Sequence, residues 1–353
     1  MNRWRTALNL ALLLVCLLCA PTGFAQTTSE TQSELVVSFI DVGQGDSILV
    51  EFPNGKTMLV DAGPSDEGST VVSYIRSQDI DQIDILVATH PHEDHIGGMT
   101  DVLSAFSVGK VWDSGYSHGS RTQENFLALV GSKGIRFGTP RAGFTEEIGD
   151  AKIEVLAPGA QLLSGTDSDP NNNSLVMLVT YEDISFLLTG DMQSEERNLV
   201  GTWPQCTVLK VAHHGSANGT DARFLRSISP EAAIVSYGQD NPYGHPDQET
   251  RDLLRRQGCT VKSTAANGTV TISTDGHTYD IETSRGQSAA TAAAPAPSDD
   301  GGSSSGGYIG NVNSHIFHRP TCSSLPDPEN RVYFKTRQEA IDAGYRPCRR
   351  CNP

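Results

Sequence analysis

The stretch "ATHPHEDHIGGM", residues 88–99, sets three histidines and two acids between an apolar run and a pair of glycines. His90, His92, Glu93, Asp94 and His95 stand almost side by side, and imidazole with carboxylate is the donor set that divalent zinc or manganese takes. A solvated surface turn would use the same residue types. The flanks decide between the two. "IDILVATH" is a buried-strand run ending in His90, and "HIGGMTDVLSAF" resumes at helical spacing. His90 therefore sits at a strand end, with His92, Asp94 and His95 in the turn into the next helix, where α/β proteins bind their ligands. His90 and His92, two apart in extended chain, can point the same way. Asp94 and His95 can face another direction, so one turn can serve two neighbouring ions. Gly97 and Gly98 let the helix start pass close by.

Working outward, the apolar pattern changes period repeatedly. "ELVVSFIDV" and "DSILVEF" read as strands, and "PNGK" before "TMLVDAG" as a hairpin turn. "STVVSYIRSQ" has helical spacing, "SLVMLVTYEDISFLLTGD" reads as two strands about a tight turn, and "TVLKVAHHG", "AAIVSYG" and "QETRDLLRRQG" as strand, strand and helix. "GTVTISTDGHTYDIET" alternates like a terminal hairpin. Strands and helices in this order indicate an α/β class, sheets covered by helices. One turn does not complete a catalytic site. "FLLTGDM" ends an apolar run in Asp191, and "LKVAHHGS" ends another in His213, His214, Gly215 and Ser216. Alone, an Asp after a strand is a turn former; with the first cluster, the pair suits a bridging carboxylate and a closing imidazole.

His90-Pro91-His92-Glu93-Asp94-His95 matches the H-x-H-x-D-H signature of the metallo-β-lactamase superfamily. "DVGQGDSILVEFPNGKTMLVDAG", "NNNSLVMLV", "LLTGDM", "LKVAHHGS" and "NPYGHPD" resemble, in order, the exported hydrolase domain of the ComEC competence proteins, over about residues 35–275. The resemblance implies an αββα sandwich with its site between the strand edges, and hydrolysis, most often of phosphodiesters in this branch. It implies His90 and His92 on one metal, Asp94 and His95 on the other, Asp191 bridging, and His214 rather than His213 closing the second position. Asp61 would brace the ligand turn, and His245 in "YGHP" would face substrate, stabilising charge or protonating the leaving oxygen. Ser216 reads as a hydrogen-bond donor, not a nucleophile. The superfamily usually brings a third histidine to the first metal from mid-chain. Here that stretch is "DPNNNSLV", so Asn171, Asn172 and Ser174 stand there, as substrate contacts or as a plain turn, and one tightly held ion is an alternative to two.

The chain ends carry separate signals. Residues 1–25 read as an export signal: Arg3 and Arg5, the apolar "ALNLALLLVCLLCA", and a small-residue end at Ala25. A membrane anchor is the alternative, but the run is short for a span. The chain is expected to be secreted or periplasmic, with no stable membrane span after cleavage. Its formal charge is −16, which repels nucleic acid at long range but does not exclude a nuclease, because bound metal inverts the local sign. Residues 285–307, rich in Ala, Pro, Ser and Gly, read as a flexible tether between a hydrolase domain at 33–284 and a tail at 308–353. The tail is basic, with Arg319, Arg331, Lys335, Arg337, Arg346, Arg349 and Arg350 outnumbering its acids. His318-x-x-x-Cys322 and Cys348-x-x-Cys351 suit a closed structural zinc site, and a domain this small needs such a staple. A disulfide is the alternative in an exported protein, though three cysteines leave one unpaired. "HRPTC" and "GYRPCRRCNP" resemble the zinc-binding module of the Ada DNA-repair proteins. Cys206 and Cys259 pair or are simply buried.

Together these readings point to an exported metallo-hydrolase, a phosphodiesterase or nuclease using one or two zinc or manganese ions, with a phosphodiester substrate such as DNA. The alternatives are the same fold acting on a lactam, a thioester or a phosphorylated wall component, and a non-catalytic binding protein.

Overall fold

In a computed structural model of the chain, the described residues are 34–286, 289–293 and, in the tail, 308–312, 315–320, 322, 325–326, 330–335, 337–343 and 345–348. Residues 1–25, Arg349, Arg350 and Cys351 lie outside them. The chain divides into two compact units between Ala294 and Pro295.

The larger unit begins with β1 (Leu35–Phe39), β2 (Ile48–Glu51), β3 (Thr57–Val60), β4 (Gln82–Ala88), β5 (Ser107–Asp113) and β6 (Arg136–Gly138). It continues with β7 (Thr145–Ile148), β8 (Ala151–Ala157), β9 (Val176–Tyr181), β10 (Ile184–Leu188), β11 (Val208–Lys210), β12 (Ala232–Val235) and β13 (Thr260–Ser263). It returns through β14 (Val270–Thr274), β15 (Thr278–Thr283) and β16 (Ala289–Ala293). The first sheet runs β16-β15-β14-β1-β2-β3-β4-β5-β6 and the second β13-β12-β11-β10-β9-β8-β7. β3 to β6 are mutually parallel, as are β10 to β13. Parallel neighbours need crossovers. These are α1 (Gly68–Ser77), then α2 (Glu93–Ile96) with α3 (Met99–Ala105), then α4 (Arg121–Ser132) on the first sheet. On the second they are α5 (Ser194–Val200), α6 (Ala222–Ile228) and α7 (Gln248–Gln257).

Side-chain alternation sorts three cores. Ile85 and Val87 of β4 meet Met177, Val179, Phe186 and Leu188 between the two sheets. Leu86 and Ala88 face the other way, onto Val71, Ile75, Val102 and Phe126 of the helices. Leu187, Leu209 and Ala233 of the second sheet pack likewise on Phe224, Leu225 and Leu254. The layers are therefore helix, sheet, sheet, helix, and both faces of β4 and β10 are buried, which explains their unbroken apolar runs.

Two local readings change. The helix read through "HIGGMTDVLSAF" is two helices, because Gly98 N–H donates to Gly63 O at 3.0 Å and a Cβ on Gly98 would lie 2.2 Å from Ala62 O. Residues 289–293, inside the stretch read as a tether, pair with β15 as an edge strand; such a ladder uses backbone groups alone and needs no large side chain.

The smaller unit carries β17 (Tyr308–Asn311), β18 (Ile316–His318), β19 (Arg331–Phe334), α8 (Arg337–Asp342) and β20 (Arg346–Pro347), with strand order β19-β17-β18-β20. Its described core is small: Phe317, Phe334 and Ala340, with Tyr308, Val332 and Tyr345 against them.

Candidate metal centre

The carboxyl ends of β10 and β11 deliver Asp191 and His214 to a cleft of about 790 Å3, and those of β3 and β4 carry the buried Asp61 and His90. Asp94, His95, Asp191 and His214 bring their ligand atoms within 4.8 Å of one another. His95 Nε2 lies 3.3 Å from Asp191 Oδ1, and His214 Nε2 lies 3.5 Å from Asp191 Oδ2 and 3.2 Å from Asp94 Oδ2. His90 and His92 form a neighbouring pair, Nε2 to Nδ1 3.1 Å, with His90 Nε2 3.8 Å from Asp191 Oδ2. The residues expected from sequence thus meet around Asp191, although they arise from segments 120 positions apart in the case of Asp94 and His214.

Each imidazole is aimed from behind. Asp61 Oδ2 accepts from His95 Nδ1 at 2.8 Å, and Asp61 is itself held by Thr89 N–H and O–H at 2.8 and 2.6 Å. His214 Nδ1 donates to Ser236 O at 3.0 Å. Both rings therefore turn Nε2 toward the carboxylates, the orientation a metal-binding histidine requires. Ser174 Oγ accepts from Asp191 N–H at 3.2 Å. His213 and His214 both occupy the left-handed region, φ 49° and 53°. Such a conformation costs about 1–3 kcal/mol per residue and is kept where function repays it.

The donor set fits a divalent cation. His95 Nε2 and Asp191 Oδ1 are buried and 3.3 Å apart without forming a well-aligned hydrogen bond, a pair of donor atoms that a cation can take up together. The field agrees. Burial disfavours charge on His214, yet Asp191, Asp46 and Asp94 raise its pKa to about 10. His95 is likewise raised well above the usual range against its burial, by Asp191, Asp61 and Asp94. Burial, then His95, drives His90 well below it, and His92 falls for the same first reason. Burial pushes the Asp191 carboxyl up, but His214, His95 and His213 outweigh it and keep it well below the carboxylate range. One half of the site attracts positive charge; the other offers neutral lone pairs.

His245 is half-buried beside this centre, its ring 5.4 Å from His213 and 6.4 Å from His214. Its Nδ1 is buried without a partner, and burial, then His213 and His214, lowers its pKa. Asn171 Nδ2 reaches His213 Nε2 at 3.4 Å, whereas Asn172 turns away from the cleft, its Oδ1 accepting from Glu196 N–H at 3.2 Å and its Nδ2 donating to Gln193 Oε1 at 3.4 Å. Asn172 braces the turn and does not line the cleft. Ser216 N–H donates to His213 O at 2.8 Å.

Four residues escaped the sequence reading. Asp46, from "GQGDS", and Lys210 form a buried ion pair at 2.6 Å, with Asp46 Oδ1 3.5 Å from His214 Nδ1. Burial raises the Asp46 carboxyl, but Lys210 and His214 bring it down to about 2. A lysine at an inward position of a buried strand was the available signal, since it must find a buried acid. His118 stacks edge-on to His92 at 5.4 Å, and Tyr243, 67% exposed, lies over His245 at 5.7 Å; both line the cleft, His118 outside any motif and Tyr243 within "NPYGHPD" beside the more conspicuous His245. Asp66, Glu67 and Glu93 line the cleft too, and no described Lys or Arg does.

In the smaller unit, His318, Cys322 and Cys348 bring their ligand atoms within 4.8 Å, with His318 Nδ1 3.4 Å from Cys322 Sγ. Cys348 N–H is fixed by Phe317 O at 2.9 Å. The fourth expected ligand, Cys351, is outside the described residues. Cys206 and Cys259 are free thiols, so the pairing alternative is excluded in this structure.

Comparison with known proteins follows the same division. The metal binding domain of Ada matches residues 303–353. ComE operon protein 3 of Bacillus subtilis (strain 168) is 32% identical over 259 residues, covering 67% of this chain and 33% of that protein. Recombination protein 2 of Haemophilus influenzae is 30% identical over 243 residues, covering 67% and 28%. The chain thus spans about a third of the length of these relatives. Among solved structures, the metallo-beta-lactamase fold protein YhfI from Bacillus subtilis aligns with a TM-score of 0.47 at 12% identity, over 69% of this chain and 100% of that one. The metallo-beta-lactamase superfamily matches residues 40–239, a span that takes in every strand-end group around Asp191, and the chain belongs to that superfamily.

Proposed function

We propose that this chain is an exported, metal-dependent phosphodiesterase acting on nucleic acid. The observation that carries the reading is the carboxylate of Asp191, buried at a strand end with four imidazoles (His90, His95, His213 and His214) within 3.8 Å of its oxygens. Asp94, His95 and His214 would hold one ion with Asp191, and His90 and His92 the other. Bound divalent ions lower the pKa of water toward neutrality and stabilise the charge that develops on a phosphoryl oxygen. The protein groups do the rest. Asp61 and Ser236 hold the ring orientations through the other nitrogens. His245, at the cleft wall with an unpartnered ring nitrogen, exchanges a proton with the departing oxygen. Tyr243, exposed beside it, offers a face on which a nucleobase can stack. The Asp46–Lys210 pair keeps the β1–β2 loop against the site.

Phosphodiester chemistry is favoured over a lactam or thioester by the relatives named for competence and recombination, which share the site-bearing region. Export rests on residues 1–25; among the described residues no helix is long and apolar enough to cross a membrane. Because the cleft offers no described Lys or Arg, fixed positive charge for phosphate there would come from metal, and a long strand would be gathered by the basic tail, whose His-Cys cluster would hold zinc. The test is hydrolysis of bis-p-nitrophenyl phosphate, single-stranded DNA and nitrocefin by the full chain with Mn2+ or Zn2+. Turnover of the first two and not the third is expected, and deleting residues 308–353 should weaken DNA binding while sparing the small diester. Turnover of nitrocefin alone would overturn the phosphodiesterase assignment.

A further inference from the structure

The first metal position has only His90 and His92 among its expected ligands, because asparagine stands where a third histidine would come. We infer that His213 supplies that third ligand from the opposite side of the cleft, an assignment that rests on the reading of this cleft as a metal centre. His213 Nε2 lies 3.4 Å from Asn171 Nδ2, so its ring reaches the very turn that lacks the histidine. It also lies 3.7 Å from Asp191 Oδ2, matching the 3.8 Å of His90 Nε2 from the same oxygen. His214 Nε2, at 3.5 Å, approaches this oxygen as well, while His95 approaches the other.

Behind the ring, Asn218 Oδ1 lies 3.2 Å and Gln193 Nε2 3.3 Å from His213 Nδ1. When Nδ1 gives its proton to Asn218, the lone pair stands on Nε2. Asn218 is itself held, since Arg197 Nη1 donates to its carbonyl at 2.8 Å and Arg197 pairs with Asp221 at 2.8 Å. That lone pair faces the Asn171 amide at 3.4 Å and the Asp191 carboxylate at 3.7 Å, and a cation between ring and carboxylate would offset their repulsion. The backbone points to the same demand. His213 precedes His214, both lie in the left-handed region, and both line the one cleft. A chain needing His214 alone would place a glycine at position 213 at no steric cost. Asn171 then serves as a neighbour of the ligand, with its buried, unpartnered Oδ1 available to a water or substrate hydroxyl.

The experiment is manganese binding by the full chain whose tail already holds zinc, read by equilibrium dialysis and by the EPR signature of two coupled Mn2+ ions. Manganese is chosen because thiolate sites disfavour it. The wild type is expected to take two Mn2+. His213→Gly, which relieves the backbone while removing the ring, should lose one of them or weaken it by more than about tenfold, and should lose the coupled signal. His118→Ala, removing the other histidine near His92, should keep both. The assignment fails if His213→Gly retains two coupled ions at wild-type affinity, if His118→Ala is the variant that loses one, or if the wild type takes a single ion. A wild type that takes no divalent metal in the cleft would instead overturn the metal-centre reading beneath it.

Discussion

The two candidate metal sites are assembled in opposite ways. In the larger unit the ligands come from segments as far apart as Asp94 and His214, carried on strand ends whose cores are complete without them. In the tail, His318 and Cys322 are four residues apart, Cys348 follows one short helix later, and the described core is three buried side chains. Apolar burial holds the first site in place, at about 25 cal/mol per Å2. The second has too small an apolar core to do this, so a metal bound there would be part of the fold. Distance along the chain thus marks which site is a tool and which is a staple.

That contrast can be broken most sharply at the tail. Structural zinc in such small domains is worth about 10–16 kcal/mol, so Cys348→Ser is expected to abolish hydrogen-exchange protection of residues 308–348 while leaving that of 34–286 unchanged. Retained tail protection would show that the apolar cluster suffices. Next in size, Asp191→Ala should reduce kcat by about a thousandfold, or about 4 kcal/mol of transition-state stabilisation, with the melting temperature little altered. A fully active variant would overturn the bridging role, and an unfolded one would place this site with the staples.

A comparable but structural effect is expected at the Asp46–Lys210 pair. Lys210→Met leaves Asp46 buried and unpaired, which costs about 3–5 kcal/mol in urea denaturation. The double change with Asp46→Leu should recover much of that, since an apolar pair needs no partner. Failure to recover would show that Asp46 is needed for His214.

The smallest effect is one of pH. Burial lifts Asp113 to about 6, against weaker lowering by Gly115 N–H and Arg141. A carboxyl raised in the folded state binds its proton more readily there. Its contribution is therefore fully present below the unfolded value of about 3.9 and is lost as pH rises through about 6. Asp113→Asn, which keeps an acceptor for Gly115, should remove that slope and gain on the order of 2 kcal/mol at pH 7.5 relative to pH 4. An unchanged slope between pH 4 and 7 would mean that other groups carry it.

Much of this was legible in one dimension. The buried strands showed as apolar runs because both of their faces are covered, and the ligand turn showed because three histidines between a strand and two glycines have few other uses. His214 and Asp191 were visible only as polar types at strand ends. Lys210 looked like an ordinary polar break in a strand, and its meaning depends on Asp46, 164 positions earlier, which nothing local announces. His118 and Tyr243 lie on loops with no periodicity at all. The split of one expected helix into α2 and α3 came from a hydrogen bond to Gly63 across the fold.

Sequence alone determined what depends on neighbours along the chain: which runs are strands, where they stop, which donor types stand at their ends, and that the tail pairs thiols with a histidine. The tertiary structure decided what depends on neighbours in space: which nitrogen of His95 and His214 faces the carboxylates, that Asp191 sits among four imidazoles, and that His213 reaches Asn171. The reason is physical. Secondary structure follows from local sterics and periodic burial, whereas a metal centre is a set of distances of a few ångströms between groups that only the packing of two sheets brings together.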